Sequence, residues 1–209
     1  MEFMPFLAFT IILVVAVIFF IFILWLALKS GFISVELPEK RAGRLGERFA
    51  YEVIAEILRD DDVLLNNVTV TADGKQAEFD EIIINPQGVF IIEVKNYSGE
   101  LFGDEDDYEW IKNKMTPGGQ FFQKPVKNPI KQVKRQIYVL SQYLKSNGIN
   151  VWINGYVFFV QNNSPVMSPY VLETQRDIDE AIHGNGERVL DDYTIKRIRE
   201  LLCVRDSNT

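Results

Sequence analysis

A chain of 209 residues with a net charge of −7 has room for one α/β domain of about 150 residues and an additional segment. The acidic balance argues against a protein that holds nucleic acid by broad phosphate neutralisation. A single cysteine, Cys203, rules out an internal disulfide and suits a reducing compartment.

After a leader of residues 1–5, Phe6 to Leu28 runs without a charge and is dense in Ile, Val, Phe and Leu. As a helix it spans roughly 35 Å at about 1.5 Å per residue, enough to cross a hydrocarbon core of about 30 Å. A cleaved signal peptide fits poorly, because Met1-Glu2-Phe3-Met4 has no basic residue and the apolar run exceeds the usual length. A single transmembrane anchor over 6–28 is therefore expected. Lys29, Lys40, Arg41, Arg44 and Arg48 follow it, which puts the amino terminus outside the cell membrane and the remainder in the cytoplasm. Residues 29–40, with Pro38 near their end, read as a juxtamembrane linker.

A helix is expected from Glu39 to Arg59. Arg41, Arg44 and Arg48 share one face, and Glu47, Ala50, Ile54 and Leu58 another, so Glu47 travels with residues that face inward. That is an unusual place for a carboxylate without a cation, although a glutamate snorkelling from a helix edge is the bland alternative. Gly43 and Gly46 allow this helix a close approach to a sheet. A first strand follows over Val63 to Thr71, turned by Asp73-Gly74.

Glu78 to Asn96 reads as a β-hairpin, with two β-branched runs joined across Asn85-Pro86-Gln87-Gly88. With Pro86 and Gln87 as the loop, Asn85 pairs with Gly88 and Asp80 falls opposite Glu93, while a bulge at Gly88 would shift the register by one. Lys95, two residues on, shares the face of Glu93. Opposed carboxylates repel, so this arrangement calls for a cation between them, for which a hard divalent metal is the natural candidate, or for one acid to stay protonated. Glu81 is expected on the opposite face from Asp80.

The acidic run Asp104-Glu105-Asp106-Asp107 lacks the ligand spacing of a calcium loop and reads as a solvated turn between two short strands, the second begun by Trp110. Met115 to Lys127, bearing glycine and proline, reads as a mobile loop. Asn128-Pro129 starts a helix that runs to Ser146, with Ile130, Val133, Ile137, Leu140 and Leu144 as its buried stripe. Gln132 and Gln136 border that stripe. Lys124, Lys127, Lys131, Lys134 and Arg135 offer either a solvated face or a surface that tracks phosphates. Val151 to Val160 reads as a strand covered on both sides and parallel to a neighbour. Asn162 to Pro169 follows as loop, then helices over Gln175 to Ile182 and Asp192 to Leu202 and a polar tail. His183, the lone histidine, is expected at the surface because its neighbours are polar.

Gly43-Arg44-Leu45-Gly46-Glu47, Phe79-Asp80, Gly88-Val89-Phe90-Ile91-Ile92-Glu93-Val94-Lys95-Asn96 with Gly99, Trp110, and Asn128-Pro129 with Gln132 occur in this order. Together they resemble the PD-(D/E)XK nuclease superfamily, and within it the nuclease-related domain, NERD. The resemblance implies an α/β, restriction-endonuclease-like core, a central mixed sheet flanked by helices, over residues 41–160 and preceded by the single transmembrane helix. Residues 161–209 would be a helical extension packed on it. It further implies that Asp80, Glu93 and the Val94 carbonyl bind Mg²⁺ or Mn²⁺, with Glu47 as a direct or water-mediated ligand. Lys95 would orient the attacking water, and Gln132 would hold a water or a phosphate. The implied substrate is nucleic acid, DNA first. Glu81 departs from the pattern, standing where the family usually has histidine. Two other readings stay open: a binding or scaffold module that has lost turnover, and an ion-pair ladder of Asp80, Glu93 and Lys95 without chemistry.

Overall fold

The computed structural model describes residues 3–29, 38–115, 118–184, 186 and 189–203. Most of the expected linker and all of the polar tail beyond Cys203 lie outside them. The chain divides into two units, Met1–Arg41 and Ala42–Thr209.

In the first unit, helix α1 spans Phe3–Lys29. Its segment Phe9–Ala27 has a mean hydropathy of 3.2. It is long and apolar enough to cross a membrane, and a signal sequence would share these properties.

The second unit is organised around a mixed sheet of order β1-β2-β3-β7-β8. Strands β1 (Val63–Ala72), β2 (Lys75–Asn85) and β3 (Gly88–Lys95) pair antiparallel, and β7 (Ile153–Phe159) and β8 (Val171–Leu172) continue the sheet in parallel. The β1–β2 turn is Asp73-Gly74, with both residues at positive φ (49° and 70°), the geometry a two-residue hairpin loop requires. Asn85 closes the β2–β3 turn: its Oδ1 accepts from the Gln87 and Gly88 amides, and its Nδ2 donates to the Ile182 carbonyl.

Helices cover both faces. Ala50 and Ile54 of α2 (Pro38–Ala55) and Ile178 and Ile182 of α4 (Gln175–His183) pack with Ile83, Phe90, Ile92 and Val94. On the other side, Val139, Leu140 and Leu144 of α3 (Pro129–Ser146) and Ile195, Ile198 and Leu202 of α5 (Asp192–Cys203) pack with Ile82, Ile84, Val89 and Ile91. The fold is α/β as expected, though α2 ends before Leu58 because the chain turns into β1 through residues 56–62.

A second, antiparallel sheet of β4 (Glu100–Phe102), β5 (Glu109–Met115) and β6 (Phe121–Lys127) leans on α3 and β7. Trp110 is its root: fully buried, it stacks on Phe159 at 6.1 Å between ring centres and donates to the Asp104 carbonyl. Asn128 caps α3 through the Ile130 amide, and its Nδ2 also donates to the Glu105 and Asp107 carbonyls at 2.9 and 2.8 Å, so the helix start also fastens the acidic turn.

Two segments depart from what their sequence suggests. Met115 to Lys127 is not a loop: seven of its residues form β6, and Pro125 is tolerated because this is the edge strand. His183 is not at the surface. Its side chain is 2% exposed and lies between Asp179 (Nδ1, 2.6 Å) and Asp62 (Nε2, 2.8 Å), tying the end of α4 to the turn before β1.

Candidate active site

The β2–β3 register runs from Asn85 opposite Gly88 to Glu81 opposite Ile92, as a loop of Pro86 and Gln87 requires. Continuing it sets Asp80 opposite Glu93, but the ladder ends one step earlier. The cause lies in β1 and β2 together. Val63, Leu65, Ile82 and Ile84 pack on the α3 side, and so do Val68, Val70, Ala77 and Phe79, which means that the in–out alternation slips by one residue on both strands at the same level. Asn67 stands there at φ 52°, out of the extended region. At this break Asp80 leaves its place in the ladder, and its Oδ2 accepts the Val94 amide at 2.7 Å. The acid substitutes for the strand partner that Val94 would otherwise have.

Glu93 is 3% exposed. Its Oε1 is bonded to Lys95 Nζ, and its Oε2 accepts from Gln136 Nε2. The same amide donates to the Glu78 carbonyl at 2.7 Å, so two acceptors fix its orientation. Gln136 Oε1 is left buried without a hydrogen-bond partner in the protein. The glutamine that touches Glu93 is thus Gln136, whereas Gln132, one turn earlier on α3, lines the adjoining groove. Both border the buried stripe of α3, and this shared position was the one signal in the sequence for Gln136.

Helix α2 brings Glu47 to the site by coming close to the end of β3. A Cβ added at Gly46 would lie 2.5 Å from Asn96 Cβ, so only glycine allows this approach, while at Gly43 the nearest atom would be 3.9 Å away. Asn96 locks the contact: its Nδ2 donates to the Ala42 carbonyl at 2.8 Å, and its Oδ1 accepts from Gln161 Nε2 at 2.9 Å. Gly46→Ala is expected to push α2 away from the sheet and to lower unfolding stability by about 1–3 kcal/mol, an overpacking cost measurable by urea denaturation.

Acid outnumbers base in this cluster. Burial, then the Glu93 charge, pushes the Asp80 carboxyl up to about 7, although the Val94 amide and Lys95 oppose the rise. Glu81, on the α2 side of the sheet, is 2% exposed with Oε2 unpartnered, and burial, then Asp80 and Glu47, pushes it up to about 8. Burial disfavours the Lys95 charge, yet Glu93, Tyr97 and Asp80 outweigh this and hold its ammonium above the ordinary lysine range. With Phe79 and Ile82 both packed on the α3 side, the alternation expected to set Glu81 on the opposite face from Asp80 does not hold here, and Glu81 is close enough to Asp80 and Glu47 to feel both charges.

Among the described residues no three Asp, Glu, His or Cys side chains gather into a metal-binding group. The chemistry of the donors nonetheless fits a hard divalent cation: every candidate donor is oxygen, and Lys95 does not offset the rise at Asp80, while at Glu81 only burial and neighbouring acids act.

Of the basic candidates, Lys127, Lys131 and Arg135 line a groove of about 610 Å³ together with Gln132, Gln136 and Tyr108. Lys134 points elsewhere, paired with Glu105 at 3.1 Å and lying over the Tyr170 ring. Lys124 is on β6, directly opposite Lys112 of β5.

Comparison with known proteins bears on this geometry. The family model described as nuclease-related domain, NERD, matches residues 42–160. An uncharacterized protein of Bacillus anthracis is 30% identical over 106 residues, which is 50% of this chain and 50% of that protein. The chain thus spans about half the length of this curated relative. No solved structure matches it. With more than half of its length on the family model, the chain belongs to the nuclease-related domain (NERD) family.

Proposed function

We propose that this protein is a divalent-metal-dependent phosphodiesterase acting on DNA, held at the cytoplasmic face of a membrane by α1. The observation that carries the reading is the buried Glu93, bonded to Lys95 and Gln136, beside an Asp80 whose carboxyl is raised to about 7. Such a cluster has more acid than its one lysine can compensate, which is the environment a cation relieves. Asp80, Glu93 and the Val94 carbonyl would hold Mg²⁺ or Mn²⁺, with Glu47 direct or through water. A metal bound there supplies a polarised phosphate and a more acidic water. Lys95 keeps its positive charge in a buried setting and is suited to orient the attacking water and offset charge on the phosphate. Gln136 fixes the Glu93 carboxylate, and Gln132 faces the groove through which a strand would pass. For α1, the anchor reading draws on the basic residues that follow it and on Lys29 lying over the Trp25 ring at 5.0 Å, an amphipathic pair suited to a membrane boundary.

The second reading is a tethered module without turnover, and it too has an observation behind it: both Glu93 oxygens already have partners within the protein. Digestion of a nucleic-acid panel by the full chain in neutral detergent separates the two. With Mg²⁺ or Mn²⁺ the expected result is cleavage that stops in EDTA and is lost in Lys95→Ala. No metal-dependent cleavage of any substrate, with no calorimetric signal for either ion, would establish the module.

A further inference from the structure

The hairpin of β5 and β6 carries two lysines where sheet energetics disfavours them. Lys112 and Lys124 are directly opposite one another, and like charges in that position destabilise a strand pair. Their face is set by the root of the hairpin: Trp110 and its partner Val126 point into the core, so the pleat puts Lys112 with Lys124, then Lys114 with Phe122, on the same side. This side runs out from the candidate active site. Tyr97, two residues beyond Lys95, packs against the Trp110 cluster, and Lys112 Nζ lies 5.5 Å above its ring. Burial raises the Tyr97 hydroxyl, Lys95 and Lys124 pull it back and Glu93 adds to the rise, as expected for a residue between the two sets of charges.

We propose that this hairpin face binds the backbone of single-stranded DNA on its way to the Glu93–Lys95 site, with Lys112 and Lys124 taking one phosphate and Lys114 the next. The proposal rests on the nuclease reading and adds to it a substrate form and a path. Three features favour a single strand. Lys112 and Lys114 stand two residues apart, about 6.5–7 Å along the strand, which is comparable to the spacing of successive phosphates on an extended chain. Phe122, on this same face, is 53% exposed, and an exposed aromatic ring beside lysines stacks on unpaired bases. The net charge of −7 confines favourable contact to a local basic track rather than a broad duplex footprint.

The test is anisotropy of a labelled oligothymidylate, with a blunt duplex of equal length beside it, on the full chain in zwitterionic nanodiscs containing EDTA, so that binding is read without turnover. Expected are preference for the single strand, about tenfold weaker binding by Lys112→Ala/Lys124→Ala, and a salt slope reduced by roughly 0.7, the value for the one phosphate that the pair holds. Lys112→Arg/Lys124→Arg should restore both, and melting curves confirm that each variant is folded. Equal affinity for duplex, or loss of affinity in Lys131→Ala/Arg135→Ala but not in the hairpin variant, overturns the proposal. So does a hairpin variant that loses only its affinity for anionic vesicles. If the wild type cleaves while the hairpin variant binds unchanged, the path is wrong and the nuclease reading stands. If the hairpin-dependent binding appears without metal-dependent cleavage, the surface is supported and the nuclease reading falls.

Discussion

Lys95→Ala is expected to slow metal-dependent cleavage by about a hundredfold to a thousandfold, the range for removing a preorganised group that stabilises developing charge. The substitution also affects the fold. Lys95 and Glu93 have side chains 17% and 4% exposed, and deleting one partner of a pair this buried costs up to about 3–5 kcal/mol. Rate and stability must therefore be read separately, with the rate taken per folded molecule well below the melting transition. Glu93→Gln is the companion variant, since it keeps the contact with Gln136 in shape while removing the charge. If both variants melt earlier but cleave at the wild-type rate, Asp80, Glu93 and Lys95 are an ion-pair ladder and nothing more.

In EDTA, unfolding free energy should fall as pH rises from about 4.5 to about 8. Glu81 is ordinarily a carboxyl near 4.5 and is held at about 8 in the folded protein, so the native state binds more protons across that window and loses stability as they leave. Asp80, raised to about 7, acts in the same direction. At about 1.4 kcal/mol per pKa unit, Glu81 alone sets an upper bound on the order of 5 kcal/mol. Glu81→Gln should flatten the profile, as measured by urea titrations at pH 5, 7 and 8.5. Mg²⁺ should recover part of the stability lost at high pH by favouring ionised Asp80, and Asp80→Asn should abolish that recovery. A profile equally steep in Glu81→Gln would show that other groups govern it.

Elements defined by local chemistry were legible in the sequence. The Asn85 to Gly88 turn gave the β2–β3 register, Asn128-Pro129 gave the start of α3, and the apolar run around Val157 gave a parallel strand beside β3. What escaped depends on distant partners. The parity break at Asn67 and Asp80 leaves no pattern that differs from ordinary imperfect alternation. Gln132 and Gln136 occupy the same side of one helix, and only the height of Glu93 beside α3 chooses between them. His183 has polar neighbours in sequence, but its buried bond is to Asp62, far away along the chain. For β6, Pro125 suggested a break where an edge strand accommodates it.

The helices after the matched segment supply inner surfaces on both sides of the sheet, and the Val189 and Leu190 amides bond to the Pro86 carbonyl at the tip of the β2–β3 hairpin. Residues 42–160 therefore carry the candidate site residues but lack part of their own interior. During synthesis, the acidic strands leave the ribosome well before α4 and α5 do, and until those helices arrive Ile83, Phe90, Ile84 and Val89 remain partly wet. A nascent chain stalled near residue 160 should be a chaperone client, and its site should assemble only once the final helix clears the exit tunnel.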